Sequence, residues 1–163
     1  MVIPHIFRLI LLIVFSKLNN INLIESKLFI KITENFDNLF NAALLVREKA
    51  HVPYSNFKVG AAFLTNDNKI ITGCNVENAA YPQSQCAEAT AIGNMISNGS
   101  KKIMEIVVIG TGNLLCSPCG GCRQRIREFA ALDTKIHMCN EGGHMKTLTL
   151  EELLPDSFGP ENL

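Results

Sequence analysis

The chain has 163 residues, 15 basic and 15 acidic side chains, and a formal net charge of zero. That length suits one domain, and a hydrophobic fraction of 47 % is enough to bury a core. Proteins that grip a nucleic-acid backbone show a basic excess or stripe; neither is present, so a small substrate is expected and a polynucleotide is not.

Residues 6–15 (IFRLILLIVF) are apolar apart from Arg8. This run is too short for a bilayer, which needs about 20 residues. No small-x-small cleavage site follows it; Lys17, Asn19 and Asn20 come instead. Residues 1–32 are therefore expected to form an apolar extension outside the fold, with membrane attachment the lesser alternative. The folded domain is expected over 33–163.

Over 33–50 the apolar residues Phe36, Leu39, Phe40, Ala43 and Leu44 fall on one helical face, which Pro53 ends. Two short apolar runs, 57–64 and 70–76, flank Asn66-Asp67-Asn68 and read as a β-hairpin. Residues 86–97 read as a helix stopped by Asn98-Gly99. Residues 103–109 (IMEIVVI) read as a buried central strand, 118–130 as a helix, and 134–139 as a strand. A turn at 141–143 leads into a strand over 145–150 and a short helix over 151–154, stopped by Pro155. The expected fold is α/β, with three α/β/α layers and a mixed five-stranded sheet.

Six cysteines stand at positions 74, 86, 116, 119, 122 and 139. Their setting in an apolar chain with a CxxC favours thiols in a reducing compartment over a disulfide framework. Cys74, Cys116 and Cys139 read as small buried hydrophobes. Cys86-Ala87-Glu88 and Pro118-Cys119-Gly120-Gly121-Cys122 carry the chemistry. Three thiolates from Cys86, Cys119 and Cys122 can hold one Zn²⁺ and leave its fourth position open to water. Glu88, two residues from the first ligand, can move protons to and from that water. Cys86 and Glu88 can share one site only if Cys86 caps the helix that carries Glu88. A CxxC alone also suits a structural zinc module, with Cys116 the nearest candidate for a fourth ligand.

From about Phe36 onward the chain resembles the small homotetrameric cytidine deaminases, and its C-A-E…P-C-x-x-C layout is the signature of zinc-dependent nucleobase deaminases. The resemblance rests also on PYSNFKVGAA at 53–62, GCNVENAAY at 73–81, CRQ at 122–124 and ELLPDSFGP at 152–160. It implies a cytidine-deaminase-like fold, one zinc per subunit, Glu88 as the catalytic acid–base group, and a homotetramer in the cytoplasm. It further implies that Asn75 and Glu77 bind the ribose 3′-hydroxyl and that Phe57 packs on the pyrimidine. The Ala87 N–H and the Ser117 carbonyl would read the base edge, with Ala79 and Tyr81 also at the substrate. Phe158 would enter a neighbouring subunit's pocket. The implied reaction is hydrolytic deamination of cytidine and 2′-deoxycytidine in pyrimidine salvage. A deaminase of another amino-heterocycle nucleoside is the enzymatic alternative. One position departs: three-cysteine members of the family carry Arg directly after the Glu, where this chain has Ala89. Arg123 or Arg125 is expected to supply that charge.

Overall fold

The structure is a computed structural model and describes residues 23–163, with side chains from residue 34 onward. The apolar run at 6–15 lies outside the described residues. The chain falls into two compact units, Met1–Asp37 and Asn38–Leu163. The first contributes the leading part of helix α1 (Leu23–Arg47); the sheet and everything that follows belong to the second.

Five strands form one mixed sheet in the order β2-β1-β3-β4-β5. They are β1 (Val59–Thr65), β2 (Ile70–Cys74), β3 (Ile103–Gly110), β4 (Ala130–Asn140) and β5 (Gly143–Thr149). Helices α2 (Ala87–Ser97), α3 (Gly120–Arg127) and α4 (Leu150–Leu153) complete the fold. Strand β3 pairs antiparallel with β1 and parallel with β4. Its Ile106, Val107, Val108 and Ile109 are all fully buried, as β-branched residues covered on both faces should be.

Pleating divides the sheet's side chains between two layers. Ala61, Phe63, Ile106, Val108, Ile136 and Met138 lie in register on one face. They form a core with Ala87, Ala91 and Met95 of α2, Ile126 of α3, and Leu150 and Leu153 of α4. The other face meets the second half of α1. A Cβ on Gly60 would lie 2.1 Å from the Ala43 carbonyl oxygen, so only glycine permits that approach. Gly73 does the same for α2: its Cβ would lie 2.3 Å from the Ala91 nitrogen and 2.5 Å from the Ala87 oxygen. Arg47, buried at the end of α1, donates to the Gly110 carbonyl (3.3 Å) and pairs with Glu141 at 2.8 Å, tying α1 to the ends of β3 and β4.

The register places the site. Gly60, near the start of β1, stands opposite Cys74 at the end of β2 and Ile109 near the end of β3. The segments leaving β2 and β3 therefore emerge at the same end of the sheet, and each leads into a helix.

Element boundaries differ from the sequence reading at several places. Helix α1 begins at Leu23 rather than residue 33. Strand β1 begins at Val59 rather than Phe57, because the two preceding amides bond side chains: Phe57 N donates to Ser55 Oγ and Lys58 N to Thr111 Oγ1. Strand β2 stops at Cys74, and Val76 instead forms isolated bridges to His51 and Gln85. Helix α3 ends at Arg127, and β4 starts early at Ala130, which pairs with Ile103. Thr149 caps α4 with a reciprocal capping box to Glu152, which moves that helix one residue earlier than the sequence suggests.

Candidate active site

Cys86 and Cys119 hold equivalent positions. Each is the N-cap of its helix in extended backbone, Cys86 at φ −71°, ψ 156° and Cys119 at φ −65°, ψ 163°. Neither sulfur caps its own helix, so both are available to a third party. Cys122 follows in the first turn of α3 and is fully buried. The N-terminal ends of α2 and α3 thus meet at the sulfurs, and the partial positive charge of each helix start favours thiolates there.

The three sulfurs lie within 4.8 Å of one another, and Cys86 Sγ is 3.8 Å from Cys119 Sγ. Tetrahedral zinc with Zn–S bonds of about 2.3 Å separates its sulfurs by about 3.8 Å. The donor set therefore fits Zn²⁺ with one position left for a non-protein ligand. Cys116 is not part of this group among the described residues, which removes the fourth ligand that a closed structural site would need.

Glu88 sits one residue inside α2, only 4 % exposed. Its Oε2 accepts a hydrogen bond from Cys122 Sγ at 3.4 Å. Burial pushes its carboxyl above the ordinary range, and the nearby Cys86 charge adds to the effect. Without metal, hydrogen bonds from Cys122 and Cys119, aided by the Arg125 charge, bring the Cys86 thiol down to about 6. Cys122 is pushed up by the same hydrogen bond to Cys86 and by burial.

Cys86, Glu88 and Cys119 line a cleft of about 570 Å³, a size within the ~300–1,000 Å³ usual for small-molecule sites. Phe57, Asn75, Glu77, Tyr81, Ala87 and Ser117 line it with Cys86, Glu88 and Cys119. Asn75 bridges two chain segments: its Oδ1 accepts from Val59 N at 2.8 Å and its Nδ2 donates to the Phe57 carbonyl at 2.9 Å. One amide hydrogen and one oxygen lone pair remain for a ligand. Glu77 Oε2 accepts from the Tyr54 and Ser55 amides at 2.9 and 3.2 Å, and its Oε1 accepts from the Ser55 hydroxyl. These bonds, the Ser55 hydroxyl foremost, hold its carboxyl below the ordinary range.

Two candidates from the sequence stand apart from the cleft. Ala79 is exposed and does not line it. Phe158 is 59 % exposed and does not line its own chain's cleft. Conversely, Tyr54, Ser55, Ser84, Gln85 and Cys116 line it without having been assigned a role. The Tyr54 and Tyr81 rings meet edge to face at 6.1 Å on its rim. Cys116, expected as a small buried hydrophobe, is partly buried and packs against the core, and burial pushes its thiol up to about 11.

The two arginines separate clearly. Arg123 donates to the Pro118 carbonyl (2.8 Å), the Leu153 carbonyl (2.8 Å) and Ser117 Oγ (2.9 Å), so its guanidinium braces the loop before α3. Arg125 lies back over the CGGC turn, its Nη1 3.2 Å from where a Gly121 Cβ would stand. Its charge lowers both Cys86 and Glu88. Arg125 is the better candidate for the cation missing at Ala89.

The model of the cytidine and deoxycytidylate deaminase zinc-binding region matches residues 33–138. The chain is 41 % identical over 125 residues to a cytidine deaminase of Halalkalibacterium halodurans, covering 77 % of this chain and 95 % of that protein. It is 42 % identical over 117 residues to one of Sporosarcina psychrophila, covering 72 % and 86 %. The crystal structure of cytidine deaminase from Burkholderia pseudomallei superposes with a TM-score of 0.71 at 42 % identity, covering 75 % of this chain and 98 % of that one.

Proposed function

The chain belongs to the cytidine and deoxycytidylate deaminase family, and on that premise we propose that it hydrolyses cytidine and 2′-deoxycytidine to the uridine forms and ammonia. The observation that carries this reading is the buried Glu88 carboxylate beside a three-sulfur centre that fits zinc, at a small-molecule cleft. Zn²⁺ held by Cys86, Cys119 and Cys122 supplies Lewis acidity that makes water a competent nucleophile near neutral pH.

The protein's own groups do the rest. Glu88 takes a proton from the water that attacks C4 of the base and delivers it to N3. It then passes the second proton to the amino group, and the C4–N bond breaks to release ammonia. A carboxyl raised by burial is suited to this work, because it holds a proton more readily than an exposed carboxyl does. The Ala87 N–H and the Ser117 carbonyl orient the base edge, and Phe57 packs on the ring. Tyr81 completes the substrate surroundings, and Ala79, outside the cleft, takes no part in them.

Asn75 and Glu77 hold the ribose 3′-hydroxyl. Glu77 is supported in this role by being held ionised by the 54–55 turn. A fixed carboxylate accepts a hydroxyl proton and repels a phosphate, which favours nucleosides over nucleotides.

The cleft is shared between subunits of a homotetramer, each contributing Phe158 to a neighbour. Exposed aromatic side chains at the cleft and on the C-terminal segment, namely Tyr54, Tyr81 and Phe158, support this. Residues 33–163 form the deaminase domain. A place in the reducing cytoplasm is supported by six unbridged cysteines, and a place in pyrimidine salvage by the proposed reaction itself. Among the described residues no helix is long and apolar enough to cross a membrane.

The test is to incubate zinc-loaded protein with cytidine, 2′-deoxycytidine and their 5′-monophosphates while following the absorbance change of deamination. Turnover of both nucleosides with the nucleotides poor is expected. No turnover of either nucleoside, or a preference for the nucleotides, overturns the reading.

A further inference from the structure

Helix α3 does two things at its two ends. Its first turn carries Cys122, and three later side chains reach the C-terminal segment. Arg123 donates to the Leu153 carbonyl at 2.8 Å. Gln124 Nε2 donates to the Phe158 carbonyl at 2.9 Å. Arg127 Nε donates to Ser157 Oγ at 3.0 Å, and its Nη2 pairs with Glu161.

Arg127 is the centre of this arrangement. It is only 8 % exposed although it carries a charge, and burial of a guanidinium needs partners such as these. Gly159 passes directly over it: a Cβ there would lie 2.3 Å from Arg127 Nη2 and 2.6 Å from its Cζ. Before it, Asp156 turns the chain at φ +51°, a left-handed conformation that Asp tolerates better than most residues. After it, the Gly159 amide donates to Asn162 Oδ1 at 2.7 Å and closes the terminal turn. The backbone is thus pinned on both sides of Phe158, whose ring stays exposed.

We propose that Arg127, with Gln124, is a positioning residue for catalysis: it fixes the 157–161 hook so that Phe158 is presented, already ordered, to the pocket of a second copy of this chain. The inference rests on the reading that Phe158 completes a neighbour's site. Binding at that site then avoids the cost of ordering a free terminus. Because one short helix carries both a zinc ligand and the hook, the hook and the metal centre of one subunit are held in fixed register.

The experiment compares cytidine kinetics, zinc content and oligomeric state for Phe158→Ala, Arg127→Gln, Arg127→Lys, Gly159→Ala and the double variant Phe158→Ala/Arg127→Gln. Loss of one well-packed aromatic contact should raise KM about tenfold in Phe158→Ala. Arg127→Gln and Gly159→Ala should raise KM to a similar extent with zinc content and kcat held, and Arg127→Lys should recover part of the loss. The double variant should be no worse than Phe158→Ala, since both changes remove one contact. A purely structural arginine would instead lower stability and add its effect to that of Phe158→Ala. If Arg127→Gln does not fold, Gly159→Ala decides, because its added methyl meets the Arg127 guanidinium and drives it and the hook apart while every α3 residue is kept. A KM effect in Phe158→Ala with wild-type KM in Gly159→Ala and Arg127→Gln overturns the proposal and leaves the Phe158 reading standing. Wild-type KM in Phe158→Ala overturns that reading and this proposal with it.

Discussion

The Glu88 carboxylate lies 3.4 Å from the Cys122 sulfur, although 34 positions separate them in the chain. The group proposed to transfer protons and one cysteine of the candidate metal centre therefore touch, although they stand on different helices. Glu88 touches the ligand set without belonging to it.

Glu88→Gln should consequently abolish proton transfer while leaving metal binding intact. We expect kcat to fall by at least ~10²–10⁴, the range for loss of a general acid–base group, with one zinc retained per subunit. Steady-state assay together with metal analysis checks this. Loss of zinc in step with activity would reassign Glu88 to the ligand shell.

The metal-free centre has its own signature. Cys86 is brought down to about 6 by Cys122 and Cys119, whereas Cys122 is pushed up. At pH 7 a chelator-treated sample should therefore alkylate at Cys86 well before Cys122, as mapped by mass spectrometry. Arg125→Gln removes a positive charge, so the alkylation midpoint of Cys86 should move to higher pH. An unmoved midpoint would leave Ala89 without its substitute cation.

Much of this site could be read from residue order, for a physical reason. Cys86, Cys119 and Cys122 match the donor geometry that one metal asks for, with Glu88 two residues from the first, and such demands leave short-range spacing in a chain. The N-cap placement of Cys86 also followed from its i, i+2 relation to Glu88. The roles of Arg123 and Arg125 did not, because two arginines two residues apart look alike until their guanidinium directions are known. The same holds for Ser55, whose amide and hydroxyl hold Glu77 across 22 positions. The start of β1 at Val59 is set by side chains that take up the two preceding amides, and the end of β2 at Cys74 by Val76 pairing with His51 and Gln85 instead; neither leaves a local pattern.

Acid should weaken the fold in a defined window. Glu77, Glu48 and Asp67 all have carboxyls held below their ordinary range, Glu48 at about 2 by Lys58 and Arg47. A depressed carboxyl contributes stability that is present above its unfolded pKa and is lost as pH falls through the folded one. Thermal midpoints should therefore hold above pH 5 and drop between about 4.5 and about 2. Glu48→Gln should be less stable at pH 7 and less sensitive across that window. An unchanged acid slope would remove Glu48 from the account.

Gly73→Ala tests the close approach of α2 to the sheet. The added methyl would lie 2.3 Å from the Ala91 nitrogen, and overpacking of this kind costs about 1–3 kcal/mol. The melting midpoint should fall by several degrees. Because α2 carries Cys86 and Glu88, zinc affinity should fall as well, measured by chelator competition. A variant with wild-type melting would mean the helix can shift at little cost.

The sulfurs of Cys86 and Cys119 come together only because β2 and β3 both end level with the start of β1. That arrangement has a kinetic consequence. The metal centre does not exist until strands distant in sequence have paired, so it is a late event on the way to the native state. Zinc should therefore scarcely change the rate at which the chain folds, and act almost wholly by slowing the rate at which it comes apart. On that ordering the ion would be a lock on a finished structure, closed after assembly, and not a seed around which the structure forms.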